Sequence, residues 1–444
     1  MSAPKRPTSK RRHLADLSPL RESPQFARLW IGTILNGLGT QLTFVAVGLQ
    51  IFAMTGSTGA VALIGGVALL PMMIAGPVGG MITDAFERKR VMVVAASIQF
   101  LATAGLVALS LGEQAAQSSG QHILLWPFYL CTTFGAISAT VLSSARQAVM
   151  PRILPKHLVT QANALNGISM GTQIMVGPAL AGIIVAVSTF SVAFATDLVL
   201  TAAGFLGIAM LPKIHVEGNA VRLGWEAFTE SFAFLRRVPQ IGAGFLIDII
   251  AMGFGRPYVL LPAAAATVIG GGPITVGILT AAGAVGSFST SAFSGRVVHI
   301  KRQGLAIANA VKVYGLFVAL FGLGLGLMLT GWFGHPGNTF DQVNWPALVA
   351  ASLAFCGMGA SDEVSAIFRT SMLIQVAPDR IRGRLQGIFT AVVQGGPRLG
   401  DVYAGAMAAM LGLWAGPVFG GIVTILLMFV ILRLTPMFRE FVAE

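Results

Sequence analysis

Positive charge recurs along this chain with a spacing that leaves few folds open. Twelve apolar stretches divide the sequence, and lysine and arginine sit in every second gap between them. Of the 29 Lys and Arg residues, all but Arg256, Lys312 and Arg398 fall in the N-terminal tail, the even-numbered gaps or the C-terminal end. The odd-numbered gaps carry none. Such alternation is expected of a chain that crosses a bilayer twelve times with both termini on one face. Lys and Arg resist translocation, so the charged face is expected to be cytoplasmic. The spans lie near 29–53, 60–83, 91–111, 122–144, 163–187, 190–211, 240–266, 274–295, 305–330, 346–368, 385–410 and 413–433. Each is long enough for roughly 30 Å of hydrocarbon, and each must be helical because lipid offers backbone groups no partner. The fold class is therefore an all-α membrane protein.

Composition agrees. Charged residues are 10% of the chain, hydrophobic residues 55%, and the mean hydropathy is +0.78. The net charge of +12 does not point to nucleic acid, because the basic residues are spread over seven segments of one membrane face, where lipid headgroups are the partner. Cys131 and Cys356 lie within spans and imply neither a disulfide framework nor a metal site. Residues 1–28, rich in Ser, Pro, Lys and Arg, read as a cytoplasmic basic tail that is solvated rather than cleaved. Most of the 54 glycines fall inside spans, which favours closely packed helices.

The chain also repeats itself. Gly80 pairs with Gly295, 215 residues on; Arg146 with Arg369, 223 on; Gly177-Pro178 with Gly396-Pro397, 219 on. Pro155 and Pro378, and Leu158 and Ile381, keep the 223-residue offset. The expected organisation is a tail 1–28, a six-helix half 29–211, a linker 212–239, a second half 240–433 and a cytoplasmic tail 434–444. In the linker, Trp225, Phe228, Phe232 and Leu235 fall on one face of an amphipathic surface helix. Two pseudo-symmetric halves with a site between them are a transporter architecture.

The loop after span two, Gly80-Met81-Ile82-Thr83-Asp84-Ala85-Phe86-Glu87-Arg88-Lys89-Arg90, resembles the signature G-x-x-x-D-R-x-G-R-K of the major facilitator superfamily. Gly80, Asp84, Arg88 and Lys89 match; Ala85 and Glu87 replace the usual Arg and Gly. The resemblance covers the chain after the tail. The runs Ala145–Arg152, Gln161–Asn166 and Pro378–Arg384 resemble the bacterial efflux branch of that superfamily that includes the enterobactin exporter. Gly177-Pro178-Ala179-Leu180-Ala181-Gly182 resembles the exporter signature G-P-x-x-G-G, with Ala181 at one Gly position; proline and small neighbours permit a bend and close contact. The resemblance implies that Asp84 meets span eleven and locks the outward-facing state, with Gly80, Arg88, Arg146 and Arg369 as further gating candidates. A plain solvated turn obeying the positive-inside rule is the competing reading. In the second half His299 stands where the acid would be.

Charges inside spans are costly and call for pairing or a water-filled cavity. Lys312 and Asp197 lie toward span ends, where a structural role is expected. Asp248 and Arg256, eight apart, share a face of span seven; Asp362 and Glu363 are adjacent on span ten; Arg398 and Asp401, three apart, are placed to pair on span eleven. The resemblance implies that spans one, four, seven and ten line the cavity. Desolvation and like charge favour a neutral carboxyl there, and such a group can carry a proton. Asp362 or Glu363 ranks first as proton carrier, then Asp248. Arg256 is a candidate to bind an anionic substrate or to hold Asp248 charged. Asn36, Thr40, Gln41 and Thr43 in span one, and Thr132 and Thr133 in span four, form polar patches that serve as interhelical contacts or as cavity lining; Asn36, Gln41, Arg256, Arg398 and Asp401 are the substrate-cavity candidates.

No metal spacing, P-loop or nucleophile constellation is present, so neither an enzyme nor a cofactor is expected. The expected function is export of a small organic molecule, a siderophore or amphiphilic drug, across the bacterial plasma membrane by proton antiport, by a multi-pass monomer. Uptake by proton symport, and a non-transporting sensor that retains the fold, are the alternatives.

Overall fold

The computed structural model describes residues 17–119, 123–155, 158–212, 235, 237–293, 300–330, 336, 337, 339–376 and 379–442. Among these, twelve long helices account for almost all the chain, and no strand forms beyond an isolated Arg302–Val442 bridge. The first six are α1 (Pro24–Thr55), α2 (Thr58–Ala85), α3 (Arg88–Gln117), α4 (Trp126–Ile153), α5 (Val159–Val187) and α6 (Phe190–Ala209). The second six are α7 (Pro239–Gly255), α8 (Gly272–Ala292), α9 (Gln303–Met328), α10 (Trp345–Val376), α11 (Asp379–Leu411) and α12 (Ala415–Leu434). Eleven spans among the described residues are long and apolar enough to cross a membrane. The twelfth, α11, has 33 residues and carries Arg398 and Asp401 on its buried side.

Local sequence sets the helix ends. Ser23, Ser57 and Thr189 accept from the amides of Phe26, Ala60 and Val192, which caps α1, α2 and α6. Gly56, with φ 63°, ends α1 in the left-handed conformation that glycine alone adopts freely. Arg88 opens α3, Arg152 closes α4, Arg302 precedes α9 and Arg433 closes α12. All four therefore lie at one end of the bundle, called the basic end below.

The two halves pack alike. In the first, α1 lies against α5 and α6, α3 against α4 and α6, and α2 against α4. In the second, α7 lies against α11 and α12, α9 against α10 and α12, and α8 against α10. The halves meet where α2 runs along α11 and α5 along α8. Small residues bring the backbones together: Gly286 faces the Cys356 carbonyl and Gly359 the Gly283 carbonyl, leaving no space for a side chain between α8 and α10. Large apolar side chains such as Leu70, Leu101, Val199 and Leu353 point outward, as a lipid-facing surface requires.

Four sequence expectations are revised or left open. Span seven is not one helix. It stops at Gly255, and Arg256 is extended (φ −99°, ψ 104°) because the following Pro257 disfavours the helical conformation of its predecessor. A 3₁₀ turn (Tyr258–Leu260) and a short helix (Leu261–Thr267) then complete the crossing. Tyr314 Oη donates to the freed Gly255 carbonyl at 2.9 Å. Arg146 and Arg369, expected at helix ends, each lie seven residues inside, because α4 continues to Ile153 and α10 to Val376. Asp197, expected near a span end with a bland role, is 1% exposed. It accepts hydrogen bonds from Thr43 (2.6 Å), Thr103 (3.2 Å) and Thr201 (3.0 Å), on three helices. The amphipathic linker helix falls almost entirely on residues 213–234, outside the described residues.

Candidate functional site

Charged side chains within the bundle gather on α7, α10 and α11 in two clusters. The first is built on Arg369 of α10, whose side chain is 4% exposed. It donates to Asp248 of α7, and its other terminal nitrogen lies 3.5 Å from Asp362, about two turns back along α10. Two carboxylates thus share one guanidinium. Asp248 is as deeply buried (3%) and one of its oxygens has no partner among the described residues, while Asp362 is 37% exposed by side chain. Asp362 is therefore the member that reaches open space.

Asp362 and Glu363 make different contacts. Adjacent helical positions point about 100° apart, and Glu363 turns to α8, where it accepts from Ser291 Oγ at 2.6 Å. Nor does Arg256 hold Asp248. The extended backbone before Pro257 aims Arg256 at α11, where Nη1 meets Asp401 at 2.9 Å. Arg398 approaches the other oxygen of Asp401 at 3.7 Å, so the expected Arg398–Asp401 contact forms but is the longer of two. This second cluster is flanked by aromatic rings. The Arg398 guanidinium lies 5.1 Å from the Phe44 ring centre, and that of Arg256 lies 4.8 Å from Tyr258 and 6.0 Å from Phe44. A pocket between the halves is lined by Phe44, Tyr258, Arg398 and Asp401 among apolar side chains of α1, α2 and α8.

The remaining candidates are dispersed. Arg146 donates to Asn36 Oδ1 at 3.2 Å. That link from α4 to α1 is the counterpart of the Arg369–Asp248 link from α10 to α7, with a neutral partner in place of an acid. Gln41 sits where α1 crosses α5: a side chain at Gly177 would strike it, at 2.5 Å from its Cβ. Pro178 lies inside an unbroken α5. Thr40 receives Gln99 Nε2 at 3.0 Å, and the Thr132 hydroxyl bonds to its own helix. Lys312 lies 4.7 Å from the Phe429 ring. At the basic end, Arg88 donates to the Ala148 carbonyl (2.9 Å) and Lys89 to that of Leu211, while Glu87 pairs with Arg90 at 2.8 Å. The surroundings of Gly80, the side chain of Asp84 and all of His299 lie outside the described residues. No group of three or more His, Cys, Asp or Glu among the described residues is placed to hold a metal ion.

Sequence reasoning missed the break at Arg256 and the burial of Arg369. Gly255-Arg256-Pro257 carried the signal for the first. For the second, the signal was the apolar stretch beyond Arg369, Met372-Leu373-Ile374, which lets α10 run on.

A twelve-helix bundle of two like halves, with charged clusters at its centre, defines a multi-pass membrane transporter of the major facilitator fold. Several solved transporters share the fold: a D-xylose–proton symporter (TM-score 0.69, 16% identity, 94% of this chain and 97% of that one) and a bacterial homologue of the iron transporter ferroportin in an inward-facing state (0.67, 12%, 94% and 99%). The chain belongs to the major facilitator family described as transmembrane secretion effector, whose model matches residues 14–441. It is 25% identical over 406 residues to the enterobactin exporter EntS of Salmonella paratyphi A, covering 90% of this chain and 89% of that protein. It is 24% identical over 407 residues to the EntS of Escherichia coli O81, covering 91% and 90%.

Proposed function

We propose that the protein exports a small organic molecule across the bacterial inner membrane in exchange for protons. The observation that carries this reading is the sharing of Arg369 by Asp248 and Asp362. One buried cation balances one of two carboxylates, and a proton neutralises the other. Asp362, the exposed member, takes the proton. Its neutralisation loosens its hold on Arg369, which then pairs with Asp248 alone and alters the contact between α10 and α7. Protonated and substrate-bound states exclude one another, and that linkage makes the exchange obligatory.

On this reading the basic end is cytoplasmic, with both termini there. The chain is organised as tail 1–28, half 29–211, linker 212–239, half 240–433 and tail 434–444. The halves rock about the α2–α11 and α5–α8 contacts, with Pro178 at the second and Gly177 at the neighbouring α1–α5 crossing. Gly80, Asp84, Arg88 and Arg146 contribute to the cytoplasmic gate. Arg369, expected among the gating residues, belongs instead to the proton site. A siderophore is the leading substrate class, supported by the names of the relatives; an amphiphilic drug is the second. The working unit is a monomer.

The test uses inside-out vesicles holding an acid interior and a pH-sensitive dye. Siderophores and amphiphilic drugs are added one at a time. Proton efflux triggered by one compound and absent in Asp362→Asn vesicles is the expected result. Efflux that persists unchanged in Asp362→Asn would remove that residue from the coupling step, and no response to any compound from folded protein would overturn export by antiport for the panel.

A further inference from the structure

The second cluster lies about 12 Å along α7 from the proton site at ~1.5 Å per residue, and proton exchange makes no use of it. We infer that it is an aromatic subsite for the substrate, taking a planar ring that bears adjacent oxygens. This rests on the reading of the chain as a carrier of small organic molecules, but not on proton coupling.

Three observations converge on it. The first is the chain break. Breaking a helix inside a bundle frees backbone groups, and the cost is tolerated where the break lines a cavity. Here the break puts Arg256 into the space between the halves and Tyr258 beside it. The second is unused hydrogen-bonding capacity. A guanidinium has five N–H donors; Arg256 and Arg398 share the single carboxylate of Asp401, at 2.9 and 3.7 Å, and their side chains keep 17% and 16% exposure. Arg398 lines the pocket and its donors face a ligand there, while Arg256 stands behind it against Asp401 and Tyr258. The third is the aromatic wall. Phe44, 36% exposed, projects from α1 of the opposite half against Arg398. Tyr258 is held in place edge-on by Phe355, with ring centres 5.2 Å apart at 81°. Gly65 of α2 lets the cluster pack close against the first half, since a side chain there would press on Asp401 at 3.1 Å and on Arg398 at 3.4 Å.

These groups state what fits. A flat ring stacks against Phe44 or Tyr258. Its oxygens accept from the guanidiniums, in the forked geometry that carboxylates and paired hydroxyls satisfy, and a ring hydroxyl donates to Asp401. An organic cation is disfavoured because it would face two guanidiniums against one carboxylate. The ligand touches both halves at once, Phe44 in the first and the remaining groups in the second.

Binding to the purified full-length protein in detergent tests this by calorimetry, with no transport step involved. The probes are salicylate, cyclohexanecarboxylate (the charge without the ring) and benzylamine (the ring with the opposite charge). Wild type binds salicylate, with the other two weaker by about tenfold or more, the scale of a lost ring contact for the first and of a lost charge-assisted bond for the second. Phe44→Leu brings salicylate down to the level of cyclohexanecarboxylate. Arg398→Gln weakens both anions. Monodisperse elution and an unchanged melting temperature verify the fold of each variant. If Arg398→Gln does not fold, Phe44→Leu, uncharged and at a partly exposed position, still decides. Equal affinity for ring and non-ring anions, preference for benzylamine, no binding by folded wild type, or no effect of Phe44→Leu each overturns the assignment. Loss of the proton signal in vesicles with salicylate binding intact would instead count against proton coupling and leave the subsite standing.

Discussion

Replacing Arg369 by glutamine removes the only cation bonded to Asp248 among the described contacts and one that Asp362 shares. The side chains of Arg369 and Asp248 are 4% and 3% exposed, so water screens little of the loss. Breaking a buried ion pair from one side costs about 3–5 kcal/mol, because a charge is left without its partner. Replacing both partners by neutral groups of similar size costs far less, since the desolvation of both charges is relieved together. The single variant Arg369→Gln is therefore expected to melt lower than wild type by about 5 °C or more, on the scaling of melting shifts with chain size. The double variant Asp248→Asn/Arg369→Gln recovers most of that loss. Thermal unfolding in detergent, followed by intrinsic tryptophan fluorescence, reads both. If the double variant melts no higher than the single one, the two side chains are not coupled as a charged pair, and the reasoning about the shared guanidinium fails.

Further outcomes follow from neighbouring contacts. Glu363→Gln should keep proton-driven transport, because Glu363 bonds to Ser291 away from Arg369, whereas Asp362→Asn should abolish it; vesicle proton flux compares the two. Asp197→Asn should be tolerated, while Asp197→Leu strands the hydroxyls of Thr43, Thr103 and Thr201 and lowers stability by about 1–3 kcal/mol, read as a fall in melting temperature. Gly286→Val should lower the yield of folded protein sharply, since the Cys356 carbonyl occupies the space its side chain needs; fluorescence-detected size exclusion measures it.

The fold was legible because bilayer physics acts on one dimension of the sequence. Span length and the alternation of Lys and Arg need no knowledge of which helix touches which. The repeat of Arg146 at Arg369 was legible in the same way. Pairing within the site was not. Asp248 and Arg256 share a face of span seven by spacing, yet Pro257 breaks the helix at Arg256 and turns it to Asp401 on α11. Asp248 finds its partner 121 positions away, a contact that no local period encodes. Asp362 and Glu363 looked alike as neighbours, and only the packing of α8 against α10 separates them. Asp197 looked peripheral because its three hydroxyl partners lie on α1, α3 and its own helix, and hydroxyls scattered over helices carry no sequence signal of a shared partner.

The central claim is that a proton leaves Asp362 when substrate binds. The most direct measurement is proton release from purified protein in a weakly buffered detergent solution, recorded with a pH-sensitive dye as a compound active in the vesicle panel is titrated in. The account predicts release that saturates with binding in the wild type and disappears in Asp362→Asn while binding persists. Release of the same size from Asp362→Asn, or saturated binding to wild type with no release, would contradict it.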